Sequence, residues 1–158
     1  MKKIKLNNGM CATVDDDVFL EVSGFTWCTH EIGDRIYVRA RLPGKKGANT
    51  NVSLHRFIMA ASAGQIVDHI NGDGLDNRMA NLRLCSQRDN SRNRGPSKGR
   101  KTKGVSWSDR LKKWRAYIKV DYRQIYLGVY SAKVDALAAY DSAALLFFGE
   151  FARQNSAS

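Results

Sequence analysis

Val67-Asp68-His69-Ile70-Asn71-Gly72-Asp73-Gly74-Leu75-Asp76-Asn77, followed by Asn81-Leu82-Arg83-Leu84 and then by Asp89-Asn90, is the stretch that decides how this chain reads. Ile66-Val67 predicts a short apolar strand that delivers a carboxylate and an imidazole side by side. A glycine-rich turn then reverses the chain, Leu82 to Leu84 predicts a second strand, and a helix beginning near Ser86 carries Asn90. A strand–strand–helix unit of this size can hold one metal ion between strand and helix. The plainer reading of such residues is structural, because Asp and Asn in loops often only cap backbone groups. Asn71, Asp73, Asp76 and Asn77 are read that way, as turn formers.

Upstream, residues 2–42 read as short strands. Lys3-Ile4-Lys5-Leu6 alternates, Asn7-Asn8-Gly9 is a turn, and Arg35 to Arg41 alternates with period two. Pro43-Gly44-Lys45-Lys46-Gly47 predicts a loop before the strand Asn51 to Leu54, and His55 to Ala63 predicts a helix with Phe57, Ile58 and Met59 in the core. His30 is expected at the surface, and His55 either approaches a phosphate or metal or is a satisfied structural histidine.

Downstream the charge changes character. The chain carries +11 over 158 residues, and Ser86 to Arg123 holds thirteen Lys/Arg against Asp89, Asp109 and Asp121, nearly the whole excess. A solvated face would scatter both signs; a one-signed run points to an anionic partner, nucleic acid first and acidic lipid second. A hydrophobic fraction of 43% argues against wholesale disorder. Gly95 to Arg100 is polar and turn-rich, which makes it the expected boundary. Beyond it come three strand patterns (Gly104 to Trp107, Trp114 to Val120, Gln124 to Tyr130) and a helix from an Ser131 N-cap to Phe148, with Gly149 as its stop. Val134, Leu137, Ala138, Leu145 and Phe148 are the expected core stripe of that helix. Ala116, Ile118, Ile125, Leu127 and Val129 are the expected inner face of the sheet.

Cys11, Cys28 and Cys85 have no C-x-x-C spacing and read as free thiols; a mixed Cys85/His zinc site is the lesser alternative. No apolar run follows the two N-terminal lysines and none approaches a membrane span, so the expectation is a cytoplasmic protein with no membrane partner.

The pattern D-H-I-N-G-x-x-x-D-N-R-x-x-N-L-R, preceded by Leu54-His55-Arg56 and followed by Asp89-Asn90, resembles the HNH endonucleases, in particular their small phage and intron-associated homing group. The similarity runs from about Val52 to Asn93. By position, the resemblance implies His69 as general base, Asp68 and Asn90 as ligands of one divalent metal, and Asn81 as the brace of the turn. His55, Arg56 and Arg83 become candidate phosphate or site contacts. Many such enzymes carry a second His where this chain has Asn90. An oxygen donor there favours Mg²⁺ or Mn²⁺ over Zn²⁺.

The second resemblance covers residues 103–155. K-G-V-x-W, W-R-A-Y-I, I-Y-L-G-V-Y, A-L-A-A-Y-D-x-A-A and F-G-E-F-A-R-x-N are similar to the AP2 domain, a three-stranded antiparallel sheet with one helix on its back. It implies a sheet face read into duplex DNA. The candidate contacts are Trp107, Arg110, Arg115, Tyr117, Lys119, Arg123 and Tyr126, with Arg92, Arg94, Lys98, Arg100, Lys101 and Lys103 tracking phosphates. The arginines that plant members carry after Gly-Val are absent here, where Ser106-Trp107-Ser108 stand, so their base specificity does not transfer.

The expected class is therefore α+β: N-terminal strands leading into a ββα-metal module over 1–94, a basic linker over 95–102, and an AP2-like module over 103–158. The expected activity is a site-selective DNA endonuclease, monomeric or weakly dimeric, that nicks one strand per active site. A DNA-binding regulator with a vestigial nuclease fold is the main alternative, and an RNA-directed protein a weaker one.

Overall fold

The computed structural model describes residues 1–43, 49–96 and 99–155. It is a mixed α and β chain with small antiparallel sheets, and its contacts divide it into two compact units, Met1–Gln87 and Arg88–Ser158. Among the described residues no helix is long and apolar enough to cross a membrane.

In the first unit β1 (Lys2–Lys5) pairs with β2 (Cys11–Val14) across the Asn7-Asn8-Gly9 turn. The alternation places Ile4, Ala12 and Val14 on the buried side. Next comes a helix that the strand reading of residues 2–42 did not expect, α1 (Asp16–Ser23). Asp16 and Asp17 in its first turn favour its positive end, and Val18, Phe19 and Val22 face the core. β3 (Cys28–Ile32), β4 (Arg35–Pro43) and β5 (Asn49–Ser53) form a three-stranded sheet in sequence order. Trp27 is buried at the centre, edge-on to Phe25 and Phe57, and its indole N–H donates to Val22 O at 2.8 Å. The expected Pro43–Gly47 loop falls largely outside the described residues, Gly44 to Gly47 among them.

The expected helix from His55 to Ala63 is shorter than its sequence suggested. α2 spans Leu54–Ile58 and closes because Ala60 turns left-handed (φ 46°). The amides of Ala60 and Ala61 then reach back to Phe57 O and Arg56 O, the paired bonds of a Schellman closure. Phe57 and Ile58 do pack on the core, whereas Met59 only caps the helix. β6 (Ile66–His69) and β7 (Leu82–Cys85) then pair antiparallel, with Asp68 opposite Arg83 and His69 opposite Leu82. A 3-10 turn at Met79–Asn81 leads into β7, and α3 (Gln87–Arg92) follows it.

The second unit is a three-stranded antiparallel sheet, β8 (Val105–Ser108), β9 (Lys113–Val120) and β10 (Arg123–Tyr130), with β9 central and α4 (Lys133–Phe148) packed against it. Asp121 and Tyr122, both at positive φ, make the tight hairpin turn between β9 and β10. Gly104 enters β8 at φ 70°, where a Cβ would lie 2.2 Å from the Tyr140 ring and 2.3 Å from Tyr117 O. Only glycine permits that approach.

The second unit departs from its sequence pattern at three points. The helix begins at Lys133 with Ala132 at the N-cap, and no side chain caps it, so Ser131 does not serve. Its core face is Ala136, Tyr140, Ala143, Ala144 and Phe148, while Val134 is 67% and Leu145 49% exposed and Ala138 also faces solvent. Small residues let the helix lie close to a short sheet, a preference that periodicity cannot reveal in a helix apolar on every side. Finally, a bulge between Tyr126 and Gly128 shifts the β10 register, so Val129 pairs with Arg115 and leaves the inner face while Tyr130 joins it.

Candidate active site and basic sheet face

The catalytic candidates sit at the end of β6. Asp68 and His69 are 5% and 4% exposed, held by their cross-strand pairing with β7. Arg83, directly opposite Asp68, donates from Nη2 to Asp68 Oδ2 at 3.0 Å and from Nε at 3.3 Å. That guanidinium shows that the pocket around Asp68 accepts positive charge. It is a stand-in for a cation in the sense that matters for a metal, because a buried carboxylate without a counter-charge is strongly disfavoured. Among the described residues no group of three or more His, Cys, Asp and Glu gathers as a metal cluster. Asp68 could serve a divalent ion as a carboxylate ligand.

The loop from Asn71 to Asn77 is tied down on three sides. Asn81 is its brace. Its Oδ1 accepts from Asn71 N at 3.0 Å, and its Nδ2 donates to Asn71 Oδ1 at 3.0 Å and to Asp76 O at 2.7 Å. Asp73 and Asn71 make the local turns, accepting from Leu75 N and Asp73 N respectively. Asp76 takes both arms of Arg78 at 2.6 Å, and that hydrogen-bonded pair lowers its pKa below the usual carboxylate range. Strand β2 then grips the loop backbone. Thr13 N donates to Leu75 O and Asn77 N donates to Thr13 O, both at 2.8 Å. On the other side a Cβ at Gly74 would lie 2.1 Å from Ile36 O, so β4 presses directly on the loop.

His69 is enclosed by rings and one amide. Its Nε2 lies 3.3 Å from Asn77 Oδ1. Its ring is 5.0 Å from that of His55, edge to face, and 6.1 Å from Tyr37. Burial pushes the His69 pKa down, opposed by Asn77 and by Asp68, Asp73 and Asp76. Burial also holds His55 at about 3, with the positive charge of its neighbours adding to the effect. His55 is thus neutral, and its Nδ1 is buried with no hydrogen-bond partner among the described residues. The sequence pairs neither Tyr37 nor Asn77 with His69: Tyr37 sits on β4, which only the fold brings to β6, and Asn77 reads as a turn former in the loop that follows it.

The remaining candidates divide into those turned inward and those exposed. Arg56 spends its guanidinium on Ser62 O at 2.9 Å, Ala61 O at 3.3 Å and Gln65 O, tying down the turn after α2. In the second unit, Asn90 is carried on α3. Arg92 pairs with Asp89 at 2.8 Å and lies over the Phe148 ring, and Lys103 donates to Arg92 O and Arg94 O at the end of that helix. Arg88 is ion-paired with Asp121. Arg94, Arg100, Lys101, Arg110 and Arg123 are exposed, and Lys98 lies outside the described residues.

The sheet face away from α4 gathers Ser106, Arg115, Tyr117, Lys119, Gln124, Tyr126 and Val129, because these are cross-strand partners of one parity. The Tyr117 and Tyr126 rings are 5.4 Å apart, and the Arg115 guanidinium lies 5.8 Å from the Tyr117 ring. Trp107 is not on that face. It pairs with Trp114, edge-on at 5.3 Å, on the helix side of the sheet, and is 42% exposed there.

Residues 53–92 match the family described as HNH endonuclease, a segment that spans α2, both strands of the site and α3. Over 63 residues the chain is 35% identical to Protein 3.8 of Escherichia phage T7, a similarity covering 39% of this chain and 52% of that protein. The chain thus spans about half the length of the curated relative it matches. The matched segment, residues 53–92, holds Asp68 and His69 on β6 and Asn81 bracing the loop that follows, and is similar to an HNH endonuclease domain.

Proposed function

We propose that the chain is a site-selective DNA endonuclease that nicks one strand per active site, leaving a 5′-phosphate and a 3′-hydroxyl. The observation that carries this reading is the burial of His69 beside Asp68 in a rigid loop inside the matched segment. A neutral imidazole near pH 7 can take the proton of an attacking water, and burial keeps His69 in that form. Asp68 and, by the family resemblance, Asn90 are the protein ligands of a single Mg²⁺ or Mn²⁺. Such an ion supplies positive charge to the phosphate and to the departing 3′ oxygen. Arg83, paired with the Asp68 carboxylate, is a candidate contact for a phosphate oxygen. Asn81 touches no substrate and keeps the loop closed.

The addressing surface in this proposal is the AP2-like second unit. Its cations and tyrosines, Arg115, Tyr117, Lys119 and Tyr126, share one sheet face of a size that enters the major groove of duplex DNA. Exposed Arg94, Arg100 and Lys101 would follow phosphates without reading sequence. One site per chain cuts one strand, so a monomer nicks and only a dimer or a paired visit breaks both strands, inside the bacterial host cytoplasm if the chain is phage-encoded like its relative.

A second reading, a DNA-binding regulator with a vestigial nuclease fold, has one observation in its favour: the Arg83–Asp68 pair would outlast a site that no longer takes metal. Supercoiled plasmid incubated with Mg²⁺ or Mn²⁺, with and without chelator, separates the two. Open circles formed by the wild type alone, and not by His69→Ala or with chelator, support the enzyme. DNA bound but left supercoiled by both proteins supports the regulator.

A further inference from the structure

Asn77 is fully buried, at 0% exposure, yet nothing in the chemistry above uses it. Its side-chain amide has two different ends, and the fold fixes which end faces where. Nδ2 donates to Gly74 O at 3.1 Å. A carbonyl can only accept, so the amino end must point there and Oδ1 must point at His69 Nε2. The reversed amide would set two acceptors, Oδ1 and Gly74 O, against each other. Oδ1 in turn only accepts, so the hydrogen of the contact with His69 belongs to Nε2. A neutral imidazole has a single N–H. The basic lone pair is then on Nδ1.

Two further contacts keep the ring from turning over to exchange its nitrogens. His55 packs edge to face on it, and Tyr37 lies across it. Asn77 itself cannot drift, because its amide N–H is bonded to Thr13 O in the neighbouring strand. We infer that Asn77 is a positioning residue that fixes the tautomer and orientation of His69, so that Nδ1 is the nitrogen that deprotonates the attacking water. The inference rests on the reading of His69 as general base. It assigns a task to a residue whose sequence context suggests only a turn.

The test combines imidazole ¹⁵N spectra of the full chain, recorded where His69 is neutral, with single-turnover nicking and DNA affinity. In the wild type His69 is expected as the Nε2–H tautomer. Asn77→Ala is expected to mix the tautomers and to lower the nicking rate by between about 10-fold and 10⁴-fold, the upper figure being the cost of a wrong histidine tautomer in a protease triad. DNA affinity should stay within about twofold. Asn77→Asp keeps an acceptor facing His69 Nε2 but gives up the donor to Gly74 O, and is expected to restore the Nε2–H form and part of the rate. It also guards against reading a misfolded Asn77→Ala as support.

An Nδ1–H tautomer in the wild type overturns the inference. So does an Asn77→Ala protein that keeps both tautomer and rate, or an Asn77→Asp protein that is folded but no better than Asn77→Ala. A wild type that never nicks overturns the endonuclease reading and this role with it. In that event the tautomer spectrum tells the failure of the chemistry from a mistaken hydrogen bond.

Discussion

In the first unit the buried side chains around the HNH segment are Asp68, His69, Asp76, Asn77 and Asn81, alongside the apolar cluster of Trp27, Val22 and Leu54. In the second, the interior is Val105, Ala116, Ile118, Ala136 and Ala144 with Asn93, Ser108 and Asp141 among the buried polar residues, and most cations gather on the outer sheet face and the surface turns. The first unit gathers its buried polar residues around one loop, at a cost that hydrogen bonds must offset. The second buries only Asn93, Ser108 and Asp141 among its described polar residues and keeps most of its cations outside, where they can meet a polyanion. The contrast teaches that the two halves suit different tasks: fixed geometry for bond cleavage, and exposed charge for adhesion.

The contrast can be broken or sharpened by experiment. The largest expected effect is on chemistry. His69→Ala should slow nicking by about 10²- to 10⁴-fold, the usual worth of a general base, with DNA affinity unchanged. A parallel loss of affinity would mean that the first unit also adheres. Next in size is salt. If about six phosphates are contacted, affinity should fall by roughly 10³ between 50 and 200 mM salt. Replacing Arg115 and Lys119 by Ala should flatten that dependence, whereas replacing Arg56, whose guanidinium is spent on carbonyls, should not.

A smaller effect is expected on stability against pH. His55 is held neutral, at about 3, in the folded protein. Protonation therefore favours the unfolded chain. The stabilisation from the neutral ring is complete above the ordinary imidazole value of about 6.5 and is lost as pH falls from there toward 3, by at most about 1.4 kcal/mol per unit. Thermal melts from pH 7 to pH 4.5 should show that slope for the first unit, and His55→Phe should flatten it. The same sign applies to catalysis. With the His69 pKa lowered, the acid limb of the nicking rate should lie below pH 6.5.

The smallest expected effect probes where the units divide. α3 is held within the second unit by Lys103 at its C-terminal carbonyls and by Arg92 on Phe148. Lys103→Ala should cost about 1 kcal/mol locally, seen as faster hydrogen exchange of the amides of 90–94. Unchanged exchange there would argue that α3 stands independently of the sheet.

Much of this was legible in the chain. The strand pair around Asp68 and Arg83, the following helix and the three-strand-plus-helix pattern all follow from alternation, turn residues and motif spacing. Other features were hidden for physical reasons. α1 has only eight residues, with Leu20 80% exposed, so its apolar pattern is short and imperfect. The face of α4 could not be chosen because apolar residues surround it, and the Val129 reversal depends on a bulge whose only trace is Gly128 in a strand. Asn77 was obscure because this turn residue reaches back to His69 and is held by Thr13, in a strand far away in sequence. Thr13 becomes a neighbour of Asn77, and Tyr37 one of His69, only after two sheets have formed.

The pairing of Thr13 with the backbone on either side of Asp76 means that the minimal working part is larger than the motif. A graft of residues 53–92 into another host scaffold would transplant the reactive side chains without the edge strand that gives their loop its shape. Such a chimera would need a replacement strand at the same height, and a library that varies residues 11–14 of the donor would be the direct way to learn how demanding that replacement is.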